Sequence, residues 1–459
     1  MCSRRTRREA AAGGGAGRGW VRLDRRAAFR ERGIGGRRAR RQRRAVGAGW
    51  AFDSVRARSS RRTFRYAVAA ARRSAWAAAL PGAALSRPQL SARALNRALL
   101  ARQSLLERSA QSPLAMVERL LGLQAQAPNP PYLGLWTRLQ DFALDDLTQA
   151  MRERRIVRAT MMRGTLHLVG ADDYRALRPV LQPVLQRLSL ASGHAKALKG
   201  LDLHALRRAG FDALRAAPLS ATALGEALRA QWPQHDCDDL ARLVRNIEPL
   251  VHVPPAGTWD WHKPAAFATA LDWLGAAIAD APDEDAVDAM ALRYLGAFGP
   301  ASARDLAAWS GLAATNQRLQ RLRSRLCVFR DEDGTELFDL PDAPRPPPEL
   351  PAPPRLLPEF DNVLLAHARR ARILDEALRP AVFSRNGLVA ATVLVDGFVA
   401  GLWKLQRDAR AAVLTISPFR RLAAAERAEL EAQAADCLRV VAADRERHEV
   451  RYARVQRPV

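Results

Sequence analysis

The chain has 459 residues, of which 48% are hydrophobic, so it is long enough for several domains that each bury a core. Its formal net charge of +26 favours a polyanionic partner, and no apolar run reaches the roughly 18 residues that a membrane span needs. The four cysteines are scattered and form no CxxC pair, so the sequence indicates neither a disulfide framework nor a metal site, and it predicts no cofactor.

Residues 1–87 carry most of the positive charge, because they contain 24 arginines against only four acidic residues. This Arg/Ala/Gly-rich arm lacks helical periodicity and is expected to be disordered. The favoured interpretation is that translation begins downstream of the arm. A basic tail that binds nucleic acid and a targeting segment are the alternatives.

The segment 88–185 begins with apolar residues at helical spacing. Helices are predicted over 90–106 and 112–126, with Ser91 and Ser112 as their N-caps. Two more helices are predicted in PPYLGLWTRL and ALDDLTQAMRERR, followed by strands in IVRATMMR and GTLHLVG around Gly164. Helices followed by a hairpin are the order of a winged-helix domain, whose third helix enters a DNA groove.

The same order recurs in the segments 186–275 and 276–342. Each contains three predicted helices and then a hairpin, in LVHVPPAGTWDW and in CVFRDEDGTELFDL, where Asp333-Gly334 is a turn signal. The segment PLSATALGEAL at 218–228 aligns with PASARDLAAWS at 300–310, which predicts Ser220 and Ser302 as equivalent N-caps.

A Pro-rich linker is predicted over 343–355, and the composition changes after it. Residues 356–459 contain β-branched runs, a turn signal at Asp396-Gly397 and one closing helix. The predicted fold is therefore mainly α with β, with three tandem winged-helix domains followed by a small C-terminal β-barrel-like domain.

Five segments of this sequence resemble those of a bacterial winged-helix DNA-binding family that includes the AlkZ-type DNA glycosylases. They are LGLQAQAPNPPYLGLWTRL, RGTLHLV, AFGPASARDLAAWSGL, LLPEFDNVLL and VLVDGFVAGLW, within about residues 88–445. The resemblance implies tandem winged helices, a β-barrel and a catalytic motif of Gln, an apolar residue, and Gln or Asp. Here that motif is Gln124-Ala125-Gln126.

The chemistry of N-glycosidic hydrolysis explains why two amides suffice for an alkylated purine. The reaction needs a water near C1′, and glycosidases usually activate it with carboxylates. A purine alkylated at N7 or N3 is already cationic, so it leaves without much acid assistance. Two glutamines near a helix end then hold one water, acting by positioning and electrostatics. The alternative is that Gln124 and Gln126 only terminate a helix on the surface.

Several basic residues near the first hairpin are candidate DNA contacts. Arg163 is expected to contact phosphate and His167 the sugar or the lesion strand, or else His167 lies on the polar face of a strand. A cluster of arginines lies around the end of the preceding helix: Arg152, Arg154, Arg155 and Arg158. Two interpretations remain open for it, a row of contacts to DNA phosphates and an ordinary solvent-exposed face.

Two further pairs admit structural and functional interpretations. Trp259 and Trp261 alternate by two and are expected to share a strand face, where core packing is favoured over stacking on an unpaired base. Glu359 and Asp361 resemble a carboxylate pair, but beside the linker they are expected to fix a turn.

Together these features predict a monofunctional DNA glycosylase that removes bulky or crosslinked alkylated purines from double-stranded DNA. We expect a monomer in the cytoplasm, associated with the nucleoid. The alternatives are a noncatalytic winged-helix regulator and a scaffold whose winged helices bind protein, which the nearly balanced charge after residue 87 keeps open.

Overall fold

The computed structural model describes residues 88–193 and 198–455, so the predicted arm over 1–87 lies outside the described residues. The described residues all belong to one compact unit, 82–459. In chain order the described helices are α1 (Ala92–Arg102), α2 (Pro113–Arg119), α3 (Pro130–Trp136), α4 (Leu144–Arg152), α5 (Ala171–Leu190), α6 (Leu203–Ala216), α7 (Ala221–Arg229), α8 (Cys237–Ile247), α9 (Ala270–Leu274), α10 (Glu284–Phe298), α11 (Ala303–Ser310), α12 (Thr315–Arg321), α13 (Asn362–Leu365), α14 (Arg379–Val382) and α15 (Ala424–Val441).

The described strands are β1 (Gln89–Leu90), β2 (Leu123–Gln124), β3 (Ile156–Thr160), β4 (Leu166–Gly170), β5 (Leu219–Ser220), β6 (Leu250–Val253), β7 (Ala266–Thr269), β8 (Cys327–Asp331), β9 (Glu336–Asp339), β10 (Arg355–Leu357), β11 (Thr392–Val395), β12 (Phe398–Arg407), β13 (Ala411–Pro418) and β14 (Arg447–Tyr452). Short 3₁₀ turns cover Met162–Gly164, Arg323–Arg325 and Glu376–Leu378.

Four predicted helix starts are confirmed by their caps. Ser91, Ser112, Ser220 and Ser302 each accept a hydrogen bond at 3.1–3.2 Å from the backbone N–H three residues later. Such a bond satisfies a donor that the helix itself leaves unpaired, which is why serine fixes the start of a helix so well.

The helix predicted over 112–126 is wrong in its second half. α2 ends at Arg119, and Leu121 and Gly122 then take φ values of +56° and +96°. A Cβ on Gly122 would lie 2.7 Å from Val169 Cγ1, so only glycine permits this close turn. The Gln-x-Gln motif consequently begins on strand β2 and not at a helix end.

Strands from the first two segments predicted as hairpins belong to one six-stranded sheet of order β2-β4-β3-β6-β7-β5. The β3–β4 hairpin is confirmed, and β3 also pairs with β6, with Arg158 opposite His252. The hairpin predicted within 250–261 is wrong, because the partner of β6 is β7. Pro254 and Pro255 donate no backbone hydrogen bond and so end the strand early.

The other sheets are smaller. A three-stranded sheet of order β1-β8-β9 contains the third predicted hairpin, which is confirmed with Gly334 at φ +78°. The strands β10 to β14 form an open sheet in chain order, so the described residues contain no closed barrel and the barrel part of the fold prediction is not confirmed. The predicted turn at Asp396-Gly397 is confirmed between β11 and β12.

Three hydrophobic cores hold these elements, and two of them cross the predicted domain boundaries. One extends from Leu99 to Phe419, and a second joins residues 116–168 to the C-terminal sheet and α15. The third is local to 198–267. Leu123 and Ala125 are buried in the second core, which fixes the backbone of the Gln-x-Gln motif. No helix in the described ranges has the length and apolar character to cross a bilayer.

Candidate active site

The Gln-x-Gln motif is held at the edge of the six-stranded sheet. Gln124 lies directly opposite His167 in the antiparallel β2–β4 pair, so the two side chains share one face. The Ala125 N–H donates to the Leu166 carbonyl at 2.7 Å, which extends the pairing by one residue. Gln126 follows in a bend beyond this pairing, with its side-chain Oε1 against the Leu166 N–H.

Arg163 fixes the orientation of the Gln124 amide. Its Nη2 donates to Gln124 Oε1 at 2.8 Å, and its Nη1 donates to the Trp309 carbonyl at 2.9 Å. A guanidinium only donates, so the oxygen of the Gln124 amide must face it and the NH₂ must face away. Burial lowers the pKa of Arg163 to about 10, with repulsion from Arg370 adding to the effect. At neutral pH Arg163 therefore remains a cation that polarises the amide.

Gln126 reaches solvent at the edge of a cleft of about 350 Å³. Its Oε1 accepts from the Leu166 N–H at 3.4 Å, which is long for a hydrogen bond and leaves the carbonyl available. We call this space the motif cleft; its lining residues are Gln126, Thr160, Arg163, Gly164, Leu166, Leu185, Leu188, Ser189, Ser192, Arg242, Arg245 and Asn246. This lining contains three arginines and no carboxylate, so the cleft suits a phosphate-bearing ligand.

Arg158 supports the motif from behind. It is buried, and its guanidinium donates to the carbonyls of Ala125 at 3.0 Å and Gln126 at 3.4 Å. Its Nη1 also lies 2.9 Å from His252 Nδ1. Burial lowers the pKa of Arg158 to about 10, and nearby Arg245 lowers it further in the same direction. The donors that the sequence assigned to DNA phosphate are thus engaged within the fold.

His167 is neutral and almost fully buried beside Gln124. Burial lowers its pKa to about 3, and the charge of Arg163 acts in the same direction. Its Nδ1 lies 3.0 Å from the Thr165 carbonyl, which only accepts, so Nδ1 carries the proton. His167 therefore presents no positive charge to DNA at neutral pH.

Three predicted DNA contacts lie at the opposite end of the β3–β4 hairpin from Arg163, roughly 15 Å along the strand. Arg152 is exposed where α4 ends. Arg154 stacks on Trp273 at 4.2 Å from the ring centroid, and Arg155 pairs with Glu153 at 2.7 Å. The structure thus brings Gln124, Arg163 and His167 together and separates them from these arginines.

Helix α8 contributes residues that the sequence analysis missed. Arg242, Arg245 and Asn246 line the motif cleft opposite the β3–β4 turn. Asn246 is held by a 3.3 Å bond to Ser189, and the Arg245 guanidinium lies 4.6 Å from the Phe267 ring centroid. The signal was present, because these side chains recur at helical spacing on the polar face of a helix whose other face is apolar.

A family model described as "DNA glycosylase AlkZ-like" matches residues 117–440. Among solved structures, the DNA glycosylase AlkZ of Streptomyces sahachiroi is similar with a TM-score of 0.64 and 22% identity, covering 80% of this chain and 100% of that chain. No curated protein matches the sequence.

The described residues contain no cluster of three or more side chains suited to a metal ion.

Proposed function

We propose that this chain, which belongs to the AlkZ-like family of DNA glycosylases, removes bulky or crosslinked alkylated purines from duplex DNA with Gln124 and Gln126 as its catalytic pair. As a DNA glycosylase it is a hydrolase of N-glycosyl bonds. The observation that carries the proposal is the arrangement of the motif. One amide is oriented by a half-buried arginine, and the other reaches solvent in a cleft with arginines and no carboxylate in its lining.

The two amides have complementary roles in this mechanism. Gln124 Oε1 already accepts from Arg163, so its NH₂ donates to the attacking water or to the sugar. Within the described residues Gln126 Oε1 accepts one long hydrogen bond, so it remains free to accept a hydrogen bond from that water, whose proton passes to bulk solvent after attack. A water held from both sides is positioned to attack C1′ as the base leaves, and the entropic cost of orienting it has been met by folding.

The absence of a carboxylate in the lining of the motif cleft supports a cationic lesion. A neutral purine is a poor leaving group unless an acid protonates it, and an amide is not such an acid. A purine alkylated at N7 or N3 already carries a positive charge, so its glycosidic bond is weakened before it reaches the enzyme. The lining also contains no lysine, which supports a monofunctional glycosylase over one that forms a Schiff base.

The exposed setting of Gln126 supports bulky and crosslinked lesions as substrates. A catalytic group that reaches solvent at the edge of an open cleft does not require the whole modified base to be enclosed. An adduct that extends away from the sugar, or that is joined to the opposite strand, therefore remains compatible with attack at C1′.

We also propose three tandem winged helices as the framework that binds DNA, with the boundaries 88–185, 186–275 and 276–342, the linker 343–355 and the C-terminal domain from 356. The repeated element order supports this division: α6, α7 and α8 precede β6 and β7, and α10, α11 and α12 precede β8 and β9. In this framework α8 is the third helix of its unit, the position that enters a DNA groove.

The predicted basic residues divide into two roles in this proposal. Arg152, Arg154 and Arg155 contact the DNA backbone away from the lesion, since each is exposed. Arg163 and His167 hold Gln124 in place. Arg158 supports the backbone of the motif through the carbonyls of Ala125 and Gln126. Arg242 and Arg245 of α8 face the phosphates that flank the lesion.

Incubation of the full chain with a duplex that contains one N7-alkylguanine tests the function. Base release is scored as strand cleavage at the abasic site by alkali, with an undamaged duplex as the control. We expect release from the damaged duplex only. Binding to alkylated duplexes without release of any base would favour the noncatalytic regulator, and failure to bind DNA would favour the protein scaffold.

A further inference from the structure

The last turn of α5 forms one wall of the motif cleft. Leu185, Leu188 and Ser189 line the cleft, and their spacing places them on one face of the helix. Leu185 and Ser189 are buried, whereas the Leu188 side chain belongs to a residue that is 44% exposed. An exposed apolar side chain therefore borders the cleft that also contains the proposed catalytic amide of Gln126.

The surroundings of Leu188 distinguish it from an ordinary surface leucine. Exposure of a single leucine is common and says little by itself. Leu190, two residues later on α5, is 47% exposed and does not line the motif cleft. The cleft beside Leu188, in contrast, contains Arg163, Arg242 and Arg245. Neither these cations nor the phosphates that they attract offer an apolar side chain a favourable contact, so Leu188 matches an apolar surface on the same polyanionic ligand.

Two neighbouring elements hold the cleft face of this turn. The backbone of Gly164, in the β3–β4 turn, lies against the Leu188 side chain, because a Cβ at Gly164 would be 3.4 Å from Leu188 Cδ1. The Asn246 side chain of α8 donates to the Ser189 hydroxyl at 3.3 Å. Leu188 is thus supported from the side of the Gln-x-Gln motif and from the side of α8.

A third element holds the opposite face of α5. Arg187 donates to the Gly311 carbonyl at 2.7 Å, where α11 ends. Gly311 has φ +79°, and a Cβ there would lie 2.7 Å from Val184 Cγ1, so its backbone packs directly on α5. A side chain that is pressed against a ligand transmits force only if its helix does not retreat, and these contacts prevent such a retreat.

Duplex DNA presents both kinds of surface that this cleft matches. Its phosphates suit the arginines, and the faces of its stacked bases are its main apolar surface. Leucine is one of the apolar side chains that proteins insert between neighbouring base pairs, which partly separates the two pairs and kinks the duplex.

We propose that Leu188 inserts between the base pairs beside the lesion and opens the stack on one side of the damaged nucleotide. This inference rests on the proposed function. A purine that is stacked on both neighbours has little room to move away from C1′ as the glycosidic bond lengthens. Separation from one neighbour supplies that room while the base stays inside the helix, so a purine that is joined to the opposite strand also meets the requirement.

The direction of insertion is compatible with a bulky N7 adduct. Side chains that separate base pairs in this way enter from the minor groove, whereas N7 of guanine lies in the major groove. Leu188 and the adduct therefore occupy opposite sides of the duplex and do not compete for space.

The fluorescence of 2-aminopurine tests the insertion without relying on base release, because stacking quenches this base. Two duplexes contain 2′-fluoro-N7-methylguanosine, which hydrolyses slowly, with 2-aminopurine as its 5′ neighbour in one and its 3′ neighbour in the other. At a saturating concentration of the full chain, we expect the fluorescence of one duplex to rise several-fold. Leu188→Ala should lose most of this rise while its Kd stays within about tenfold of the parent, because burial of the leucine and the loss of stacking offset each other.

Matched variants show whether the effect belongs to Leu188. Leu190→Ala removes an equally exposed leucine from the same helix and should keep the full rise. Leu188→Met keeps a long apolar side chain and should also keep it. A thermal melt of Leu188→Ala equal to that of the parent is expected for an exposed side chain and confirms that the variant is folded.

The outcomes separate this inference from the proposed function. A parent chain that binds both duplexes without raising either signal, or a Leu188→Ala variant with the parent signal, would overturn the insertion even if the chain releases bases. A rise that depends on Leu188 in a chain that releases no base would support the insertion and overturn only the catalytic assignment. Failure to bind either duplex would overturn both and would favour a protein partner.

Discussion

Truncation of Gln126 to alanine should separate catalysis from both binding and folding. The Gln126 side chain is exposed, and its one hydrogen bond among the described residues is 3.4 Å long, so its removal should change the free energy of unfolding by less than about 0.5 kcal/mol. If its carbonyl holds the attacking water, the same change should lower base release by roughly 10²–10³, or about 2.7–4 kcal/mol of transition-state stabilisation.

Gln124→Ala should give a similar loss of rate with a different effect on stability. Gln124 is 7% exposed, and its amide oxygen accepts from the half-buried Arg163 guanidinium. Loss of that acceptor leaves a half-buried charged donor unpaired, which should cost about 1 kcal/mol of unfolding free energy. The two variants should therefore match in catalytic defect and differ in urea midpoint.

The assay is single-turnover release of 7-methylguanine from a labelled duplex, with Kd measured in parallel by anisotropy. Gln186→Ala, an exposed glutamine on α5 that does not line the motif cleft, is the matched control and should keep the parent rate. Gln126→Asp restores an acceptor at the same position and should retain activity or change the preferred lesion. Release at the parent rate by both alanine variants would refute the catalytic pair.

Other features of the structure lead to further expectations. Arg163→Met should lower the rate of base release by about 10²-fold with Kd within a fewfold of the parent, because the Gln124 amide loses the donor that orients it, and an unchanged rate would count against that role. The binding constant for duplex DNA should fall steeply as the salt concentration rises. The slope of its logarithm against the logarithm of the salt concentration should be smaller in magnitude by about 0.9 in Arg242→Ala, because one phosphate contact is lost. Binding that does not depend on salt would contradict phosphate contacts. The pKa values of His167 and His367 are lowered to about 3 by burial, so the unfolded chain binds more protons between about pH 3 and 6.5 and stability should fall as the pH drops below 6.5. Each histidine should contribute a loss of roughly 1.4 kcal/mol at pH 5.5, and urea unfolding that is equal at pH 7.5 and 5.5 would contradict this burial. Asp361→Asn should destabilise the fold by about 3–5 kcal/mol because it leaves Arg138 buried without its counter-ion, and a thermal melt equal to that of the parent would exclude the pair as a structural element.

Local signals in the sequence predicted the local structure well. The caps at Ser91, Ser112, Ser220 and Ser302 depend only on a serine hydroxyl reaching a backbone N–H three residues away. The Asp-Gly turns depend only on the ease with which glycine adopts a positive φ. Neither interaction requires a distant part of the chain, so sequence alone suffices for both.

Errors arose where a distant contact determined the outcome. The residues that follow α2 are apolar enough to continue a helix, but Gly122 approaches Val169 of the next hairpin, and the motif becomes a strand because β4 supplies its partner. The segment that contains Trp259 was predicted as part of a hairpin, from the order of elements that recurs along the chain. Its actual conformation is set by Pro254, Pro255 and a contact with Asn129.

The sequence by itself determined the starts of four helices, the β3–β4 and β8–β9 hairpins, the position of the Gln-x-Gln motif and the resemblance to a DNA glycosylase family. Only the tertiary structure decided which arginines are free to meet DNA. Arg158 and Arg163 look like surface cations in the sequence, yet their donors bind Ala125, Gln126 and Gln124. The physical reason is that a guanidinium has five donors and is equally suited to a phosphate and to carbonyl oxygens. Its partner is set by what the fold brings within about 3 Å, and a linear sequence does not contain that distance.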